Sequence, residues 1–101
     1  MPTAREFFEG LEGRVDPAKT AGMTNSYLFE IDGAGTWKVD VDDGAVKVTE
    51  GEGDADATIS ASEETFEQIA GGDLNATTAY MTGKLKIKGD LGAAMKLQKL
   101  F

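Results

Sequence analysis

The chain has 101 residues, a net charge of −8, no cysteine and no histidine. This length corresponds to a single domain covering residues 1–101. The lack of cysteine excludes disulfides, thiolate metal sites and thiol nucleophiles, and the lack of histidine removes the side chain most used for acid–base catalysis near neutral pH. The negative charge argues against nucleic acid as a partner, because phosphate backbones require a basic surface.

The sequence contains no apolar run long enough to span a membrane and no secretion signal at its start, which predicts a cytoplasmic protein. Its charge is unevenly distributed. Residues 1–82 carry 17 acidic and 5 basic side chains, a balance of −12, whereas residues 83–101 carry five lysines and Asp90, a balance of +4. The basic segment has two interpretations: weak contact with an anionic membrane, or protection of an edge strand against aggregation. Its lysines are Lys84, Lys86, Lys88, Lys96 and Lys99.

The first element predicted is a helix that begins near Thr3. Thr3 followed by Glu6 is a capping-box pattern, and Phe7, Phe8 and Leu11 follow at helical spacing. After this helix, Asp16-Pro17 indicates either a short second helical turn or a loop that continues to residue 23.

From residue 26 the apolar residues recur every second position, which is typical of strands. One face of the first strand carries Tyr27, Phe29 and Ile31, and one face of the second carries Trp37, Val39 and Val41. Asp43-Gly44 then predicts a two-residue hairpin turn, because both residue types tolerate positive φ angles. That turn places Val46 opposite Val41 in a third strand.

The remainder of the chain alternates between strands and helices. Residues 50–56 are polar and glycine-rich and predict a loop, followed by a fourth strand, a helix capped by Ser62 and a short helix over residues 75–82. Residues 83–89 then form a fifth strand, and Asp90 caps a last helix over residues 91–101. The predicted fold class is α+β, a five-stranded, mostly antiparallel sheet with helices packed on one face.

Several sequence runs together resemble the sterol carrier protein type 2 family, in the form of a stand-alone prokaryotic-like member. They are Phe-Glu-Ile-Asp-Gly at 29–33, Trp37, Ala-Gly-Gly-Asp-Leu-Asn at 70–75, Met-Thr-Gly-Lys-Leu-Lys-Ile-Lys-Gly-Asp at 81–90, and Met-Lys-Leu-Gln-Lys-Leu at 95–100. The resemblance implies an apolar tunnel between sheet and helices that takes fatty acids, fatty-acyl-CoA or sterols, with the last helix bordering it. The strongly acidic body departs from the basic character of many animal members.

We expect nine residues to line such a tunnel: Phe29, Ile31, Phe66, Ile69, Tyr80, Met81, Leu91, Met95 and Gln98. For any single apolar member an ordinary core position is the favoured interpretation, so the tunnel prediction rests on the group as a whole, and Trp37 is expected to be structural. Small or flexible residues, among them Ala79, Ala93 and Ala94, hint at incomplete packing. Tyr80 and Gln98 supply polar atoms at the ends of an apolar slot.

The predicted function is non-enzymatic binding and transfer of a lipid, namely a fatty acid, fatty-acyl-CoA, sterol or isoprenoid, by a monomer without cofactor or metal. The alternative is an accessory module of the same fold that binds a partner protein through its apolar face. A calcium loop starting at Asp40 is disfavoured because its twelfth position is Gly51, where an EF-hand needs glutamate. The Gly-x-Gly segments lie at hairpin turns, so no nucleotide site is expected.

Overall fold

The computed structural model describes residues 3–96, which form five helices and five strands. In chain order they are α1 Ala4–Arg14, α2 Pro17–Thr20, β1 Thr24–Asp32, β2 Gly35–Asp42, β3 Ala45–Glu50, β4 Ala57–Ser62, α3 Glu63–Ala70, α4 Ala76–Met81, β5 Leu85–Gly89 and α5 Leu91–Met95. The final residues of the predicted last helix, 97–101, lie outside the described part. Within residues 3–96, no helix combines the length and the apolar character required to cross a bilayer.

The strands form one sheet in the order β3-β2-β1-β4-β5. Strand β1 is central, and it pairs antiparallel with β2 and parallel with β4. The outer pairs β2–β3 and β4–β5 are both antiparallel. The predicted α+β fold with a five-stranded, mostly antiparallel sheet is confirmed.

The hairpin between β2 and β3 has the predicted register, with Val41 opposite Val46 and Val39 opposite Val48. Its two turn residues, Asp43 and Gly44, have φ angles of 45° and 93°. Asp43 also closes the turn onto the start of β1, because its backbone N–H donates to the Met23 carbonyl at 2.8 Å.

Residues 51–56 carry the chain from β3 at one edge of the sheet to β4 on the far side of β1, and they do so across the face that the helices leave open. The segment leaves β3 with the Gly51 N–H bonded to the Thr36 carbonyl, and it passes so close to Lys38 that a Cβ on Gly53 would lie 3.3 Å from the lysine Cδ. It reaches β1 at Ser26, whose N–H donates to the Asp56 carboxylate at 2.9 Å.

Leu28 lies on the open face of the sheet, which this segment crosses. Its side chain points to the open face, opposite to Tyr27 and Phe29, yet Leu28 is buried. Burial at this position is expected for a side chain beneath the crossing segment.

Side-chain caps begin all five helices of residues 3–96. Thr3 and Glu6 form the predicted capping box of α1, and Ser62, Asn75 and Asp90 cap α3, α4 and α5. Each cap accepts a hydrogen bond from an amide of the first turn that has no partner within its helix. Asp16 likewise caps α2, so the ambiguous segment after α1 is a short helical turn.

The helix-covered face of the sheet has two differently packed parts. Over β1, β2 and β3, helices α1 and α3 complete an aromatic half, in which the Phe8 ring stacks on Trp37 and Phe66 with centroids 4.7 and 5.2 Å apart. Its members are Phe7, Phe8, Phe29, Trp37 and Phe66, all of them buried, so Trp37 is structural as expected. Over β4 and β5, helices α4 and α5 complete a second half, called the alanine half after its five buried alanines, Ala57, Ala61, Ala79, Ala93 and Ala94. Ile59 and Leu85 are also buried on these strands, and α3 packs on β4 as well.

The two edges of the sheet differ as well. Helix α1 covers the β3 edge, where the Glu12 carboxylate accepts from the Val48 N–H at 2.8 Å and Arg5 pairs with Glu50 at 3.1 Å. The β5 edge carries the lysine-rich segment instead. Lysines along an edge strand oppose pairing with other chains, so both edges are protected, by different means.

The close approach of Gly89 to the start of β4 generates a stability prediction. Gly89 has φ +94°, and a Cβ there would lie 2.5 Å from the Asp56 carbonyl oxygen. We expect Gly89→Ala to lower the free energy of unfolding by about 3 kcal/mol, because it adds a backbone collision to the strain of a left-handed alanine. Chemical denaturation of both proteins measures this loss.

Gly72→Ala is the matched control, since Gly72 has φ +83° and open space around its Cβ position. It isolates the backbone strain, with an expected loss of about 1 kcal/mol. Equal losses in the two variants would show that the approach to Asp56 contributes nothing.

Candidate functional site

The structure separates the predicted tunnel residues into two groups. Phe29, Ile31, Phe66 and Ile69 are buried in the common core. Tyr80, Met81, Leu91 and Met95 are exposed, with 43%, 79%, 52% and 80% of their surfaces accessible. Gln98 lies outside the described residues. The assignment of these nine residues to a lipid site stays a prediction.

The exposed group has a distinct location. Its members are the large apolar side chains that residues 3–96 leave exposed, and all four lie on α4 and α5, the helices on either side of β5 in the chain. Both helices pack on β5, and α5 also packs on β4. On the helix-covered side of β5, Leu85 is buried but Ile87 is only partly buried. The exposed group therefore borders the alanine half.

Helix α5 contacts the sheet through small side chains. The sequence analysis expects Leu91 and Met95 to line the tunnel, but the buried residues of α5 are Ala93 and Ala94. The Tyr27 hydroxyl donates to the Ala93 carbonyl at 2.5 Å and so joins α5 to the central strand. Ala93 and Ala94 face the sheet, and Leu91 and Met95 are exposed.

Tyr27 is a residue whose role the sequence analysis missed. The sequence analysis places Tyr27 on the apolar face of β1, where it is fully buried, but its hydroxyl also donates a hydrogen bond to the Ala93 carbonyl of α5. Burial, together with the smaller effect of the Asp56 and Asp90 carboxylates, raises the pKa of Tyr27 to about 12. The available signal was chemical, since a buried tyrosine hydroxyl normally requires a hydrogen-bond partner.

Asn25 precedes Tyr27 on the same side of β1 and contributes an unusual polar atom. Its side-chain oxygen Oδ1 is buried, and it accepts no hydrogen bond within the described part of the chain. Buried acceptors without a donor are rare because they forgo the hydrogen bonds they make with water in the unfolded chain. Asn25 thus offers a buried acceptor at the β1 end of the helix-covered face.

A separate cavity of about 670 Å³ lies on the open face of the sheet, between the β1–β2 turn and β5. Its side chains include Glu30, Thr36, Ser60, Lys84 and Lys86, and the Ser60 hydroxyl donates to the Glu30 carboxylate at 3.1 Å. Charged and hydroxyl groups of this kind favour water over a hydrocarbon chain. The open-face cavity is therefore unsuited to a lipid tail.

Sequence comparison decides the family. The model of the SCP-2 sterol transfer family matches residues 7–101. This chain belongs to that family. Among curated proteins, the hydroxysteroid dehydrogenase-like protein 2 of Danio rerio is 37% identical over 99 residues, which cover 94% of this chain and 24% of that protein. The chain thus spans about a quarter of that relative, and family membership supports lipid or sterol binding and transfer as its general activity.

Solved structures agree with this fold. The chain superposes on palmitated SCP2L2 from Aedes aegypti with a TM-score of 0.77 at 24% identity, over 95% of this chain and 91% of that one. It also superposes on the sec-alkylsulfatase Pisa1 from Pseudomonas sp. with a TM-score of 0.82 at 25% identity, over 98% of this chain but 16% of that enzyme. The fold occurs both as a small protein and as a minor part of a large one.

The hydrogen bond between Tyr27 and Ala93 generates a pH-dependent prediction. At neutral pH we expect Tyr27→Phe to lower the free energy of unfolding by about 1–2 kcal/mol, because the buried Ala93 carbonyl loses its donor. Because its pKa is raised by folding, the Tyr27 hydroxyl ionises from about pH 10 in the unfolded chain but stays neutral until about pH 12 in the folded chain. The stability of the parent protein therefore falls across this window relative to the variant.

Denaturant unfolding of both proteins at pH 8 and at pH 11 measures the effect. The stability advantage of the parent is expected to be smaller at pH 11 than at pH 8. An advantage that is constant with pH would mean that the Tyr27 hydroxyl is not held in this environment.

Proposed function

We propose that this chain is a non-enzymatic lipid carrier that holds one apolar ligand between α4 and α5 on one side and β4 and β5 on the other. The observation that carries the proposal is the contrast between the two halves of the helix-covered face. Aromatic rings fill one half, whereas the other half holds five buried alanines beside Ile59 and Leu85 and is bordered by four exposed apolar side chains. Family membership supplies the general activity.

The aromatic half has no room for a ligand. Phe8 contacts Phe7, Phe29, Trp37 and Phe66 with ring centroids 4.7–5.3 Å apart, which is the spacing of directly packed rings. A lipid tail that entered here would have to displace several buried rings. Phe29 and Phe66 therefore form the inner wall of the site in this proposal, and the tail lies on the far side of them, over β4 and β5.

The alanine half is suited to opening. A buried methyl group contributes far less burial free energy than a buried ring, since that free energy scales with the apolar area removed from water. Helices α4 and α5 are also short, six and five residues, and each begins at a single side-chain cap. Both helices therefore move away from the sheet at lower cost than α1 or α3.

The exposed group gains from a bound lipid. Met81 and Met95 expose most of their surfaces to water, and methionine is flexible enough to turn onto a ligand. Burying about ten methylenes of a tail stabilises the complex by roughly 8 kcal/mol relative to water, before the cost of association. Relative to a bilayer, where the tail is already buried, the gain is near zero. Such a balance allows both uptake and release.

The ligand class in this proposal is a fatty acid, fatty-acyl-CoA, sterol or isoprenoid. The palmitated protein from Aedes aegypti is an instance of this fold with an acyl chain. The absence of cysteine agrees with action in the cytoplasm.

A second candidate function is an accessory module that binds a partner protein through the exposed group. Two observations favour it: those four apolar side chains are accessible without a ligand, and the matching regions form only 24% of the zebrafish relative and 16% of the sulfatase. Native mass spectrometry of the freshly purified protein separates the two functions. A bound lipid at one per chain supports the carrier, whereas a protein that is empty and takes up no fatty acid supports the module.

Filling the alanine half tests the location of the site. Ala94 is buried on the sheet side of α5, so Ala94→Phe places a ring where the tail is proposed to lie. We expect it to weaken binding of a fluorescent fatty acid by about tenfold or more, since a ring of that size excludes several methylenes. Met95→Asp is expected to weaken binding as well, because it places a charge beside the tail. Met95 is exposed in the free protein, so the aspartate is expected to be tolerated there.

Ala45→Phe is the control for the ring, since Ala45 is exposed on β3 at the opposite edge of the sheet. It is expected to bind the fatty acid like the parent. Thermal unfolding checks that each variant is folded. Parent-like binding by both folded site variants would place the ligand elsewhere.

A further inference from the structure

We infer that the open-face cavity is a binding site for a small phosphorylated sugar. Its volume of about 670 Å³ lies within the range of about 300–1,000 Å³ that is typical of ligand sites. The cavity is on the side of the sheet opposite to the proposed lipid site, so this inference does not depend on the proposed function. Its polar groups are of two kinds, lysines at one side and a carboxylate with hydroxyls at the other.

A row of polar side chains crosses four strands at the floor of the cavity. Thr36 on β2 lies opposite Glu30 on β1, and Glu30 lies beside Ser60 on β4. Lys86 lies opposite Ser60 and completes the row on β5. Adjacent strands are about 4.8 Å apart, so the row extends for about 14 Å. This length accommodates a ligand with two chemically different parts.

Two lysines form the basic side of the cavity. Lys84 and Lys86 are two positions apart and both line it, while Leu85 between them is buried on the helix-covered side. Neither ammonium group forms an ion pair with another residue of the described range 3–96. Two neighbouring charges of the same sign repel each other, and an anion held between them relieves that repulsion.

The identity of the basic residues favours a phosphate over a carboxylate. Arginine binds carboxylates through its planar fork, whereas lysine acts as a point charge that suits a phosphate. Among the described residues that line the cavity, both cations are lysines. A phosphate monoester carries a charge of about −1.5 to −2 near pH 7, which two lysines balance. The lysine side is therefore suited to a phosphate group.

The carboxylate at the floor of the cavity favours a ligand that also carries hydroxyl groups. Glu30 is half-buried, and its Oε1 accepts a hydrogen bond from the Ser60 hydroxyl at 3.1 Å. Its Oε2 accepts none from the described part of the chain. A carboxylate repels a phosphate but accepts hydrogen bonds from sugar hydroxyls, and the Thr36 hydroxyl beside it both donates and accepts. The sugar therefore lies over Glu30 and Thr36, with its phosphate towards the lysines.

The lining of the cavity favours a sugar phosphate over a nucleotide. None of the described residues that line it is aromatic. Proteins commonly hold nucleobases by stacking them on aromatic side chains, and each such contact contributes substantially to binding. A base attached to the sugar would find no stacking partner here, so it would add little affinity.

Lys88 shows how the cavity differs from the rest of the open face. It lies opposite Thr58, on the same strand and face as Lys86, but it does not line the cavity. On β2 its row contains Lys38, which is close to Gly53 of the crossing segment. The recess is thus confined to the row of Glu30 and Lys86, and Lys88 provides an internal control.

Isothermal titration calorimetry with glucose 6-phosphate tests the site. We expect the parent to bind it about tenfold more tightly than glucose or inorganic phosphate, because each of these has only one of the two parts. Lys84→Gln/Lys86→Gln is expected to lose about tenfold in affinity for glucose 6-phosphate. Glu30→Gln should weaken binding of glucose 6-phosphate but not of inorganic phosphate, since the carboxylate contacts the sugar alone.

The double variant Lys47→Gln/Lys88→Gln is the matched control for charge. It removes two exposed lysines from the same face of the sheet, and neither of them lines the cavity. It is expected to lose less than about twofold in affinity. Equal losses in the two double variants would make the attraction a property of net charge and refute the site. Thermal unfolding checks that every variant is folded.

Three other results would overturn the inference. One is a parent protein that does not bind glucose 6-phosphate. Another is equal affinity for inorganic phosphate, which would indicate a general anion site. The third is binding of AMP about tenfold tighter than that of glucose 6-phosphate, which would show that a base has a stacking partner. Fatty-acid binding by Lys84→Gln/Lys86→Gln is expected to match the parent, so failure of either proposal leaves the other intact.

Discussion

The stacking of Phe8 on Trp37 and Phe66 determines where the helical layer is tight and where it is not. Those contacts, at 4.7 and 5.2 Å, join α1 and α3 to the central strands through large buried rings. Helices α4 and α5 pack instead on β4 and β5, where small alanines lie beside Ile59 and Leu85. Because burial free energy follows apolar area, the fold has a strongly held part and a weakly held part on one sheet. Local opening is expected in the weakly held part.

Much of this architecture could be predicted from local sequence patterns. The Thr3 and Glu6 capping box and the Ser62 cap each begin a helix at the expected residue. The valine alternation in β2 and β3 fixed their register, because a shift of one residue would place valines on opposite faces. Strand order was not available in the same way. The sequence of residues 51–56 does not predict that this segment crosses two strands and places β4 parallel to β1. That pairing joins strands 30 residues apart in the chain, so no local pattern indicates it.

The candidate site was less accessible to sequence reasoning. The sequence predicted a last helix capped by Asp90, but it could not show which side of that helix faces the sheet. That orientation depends on Tyr27, which is 66 residues away from Ala93 in the chain and bonds to its carbonyl. Leu28 shows the same limit, because it is buried on the open face although the strand alternation alone places it on the exposed side. In each case the decisive contact is between segments that no local pattern connects.

The division of the helix-covered face has a consequence for how such a domain diverges. A larger side chain at any of the five buried alanines would alter the space beside β4 and β5; they are Ala57, Ala61, Ala79, Ala93 and Ala94. None of them belongs to the ring cluster that joins α1 and α3 to the sheet. If the lipid binds where we propose, cargo preference depends mainly on these small residues and the joining of α1 and α3 to the sheet on the rings. Under that proposal, a lineage can exchange one lipid for another by a few substitutions among small side chains while the ring cluster persists.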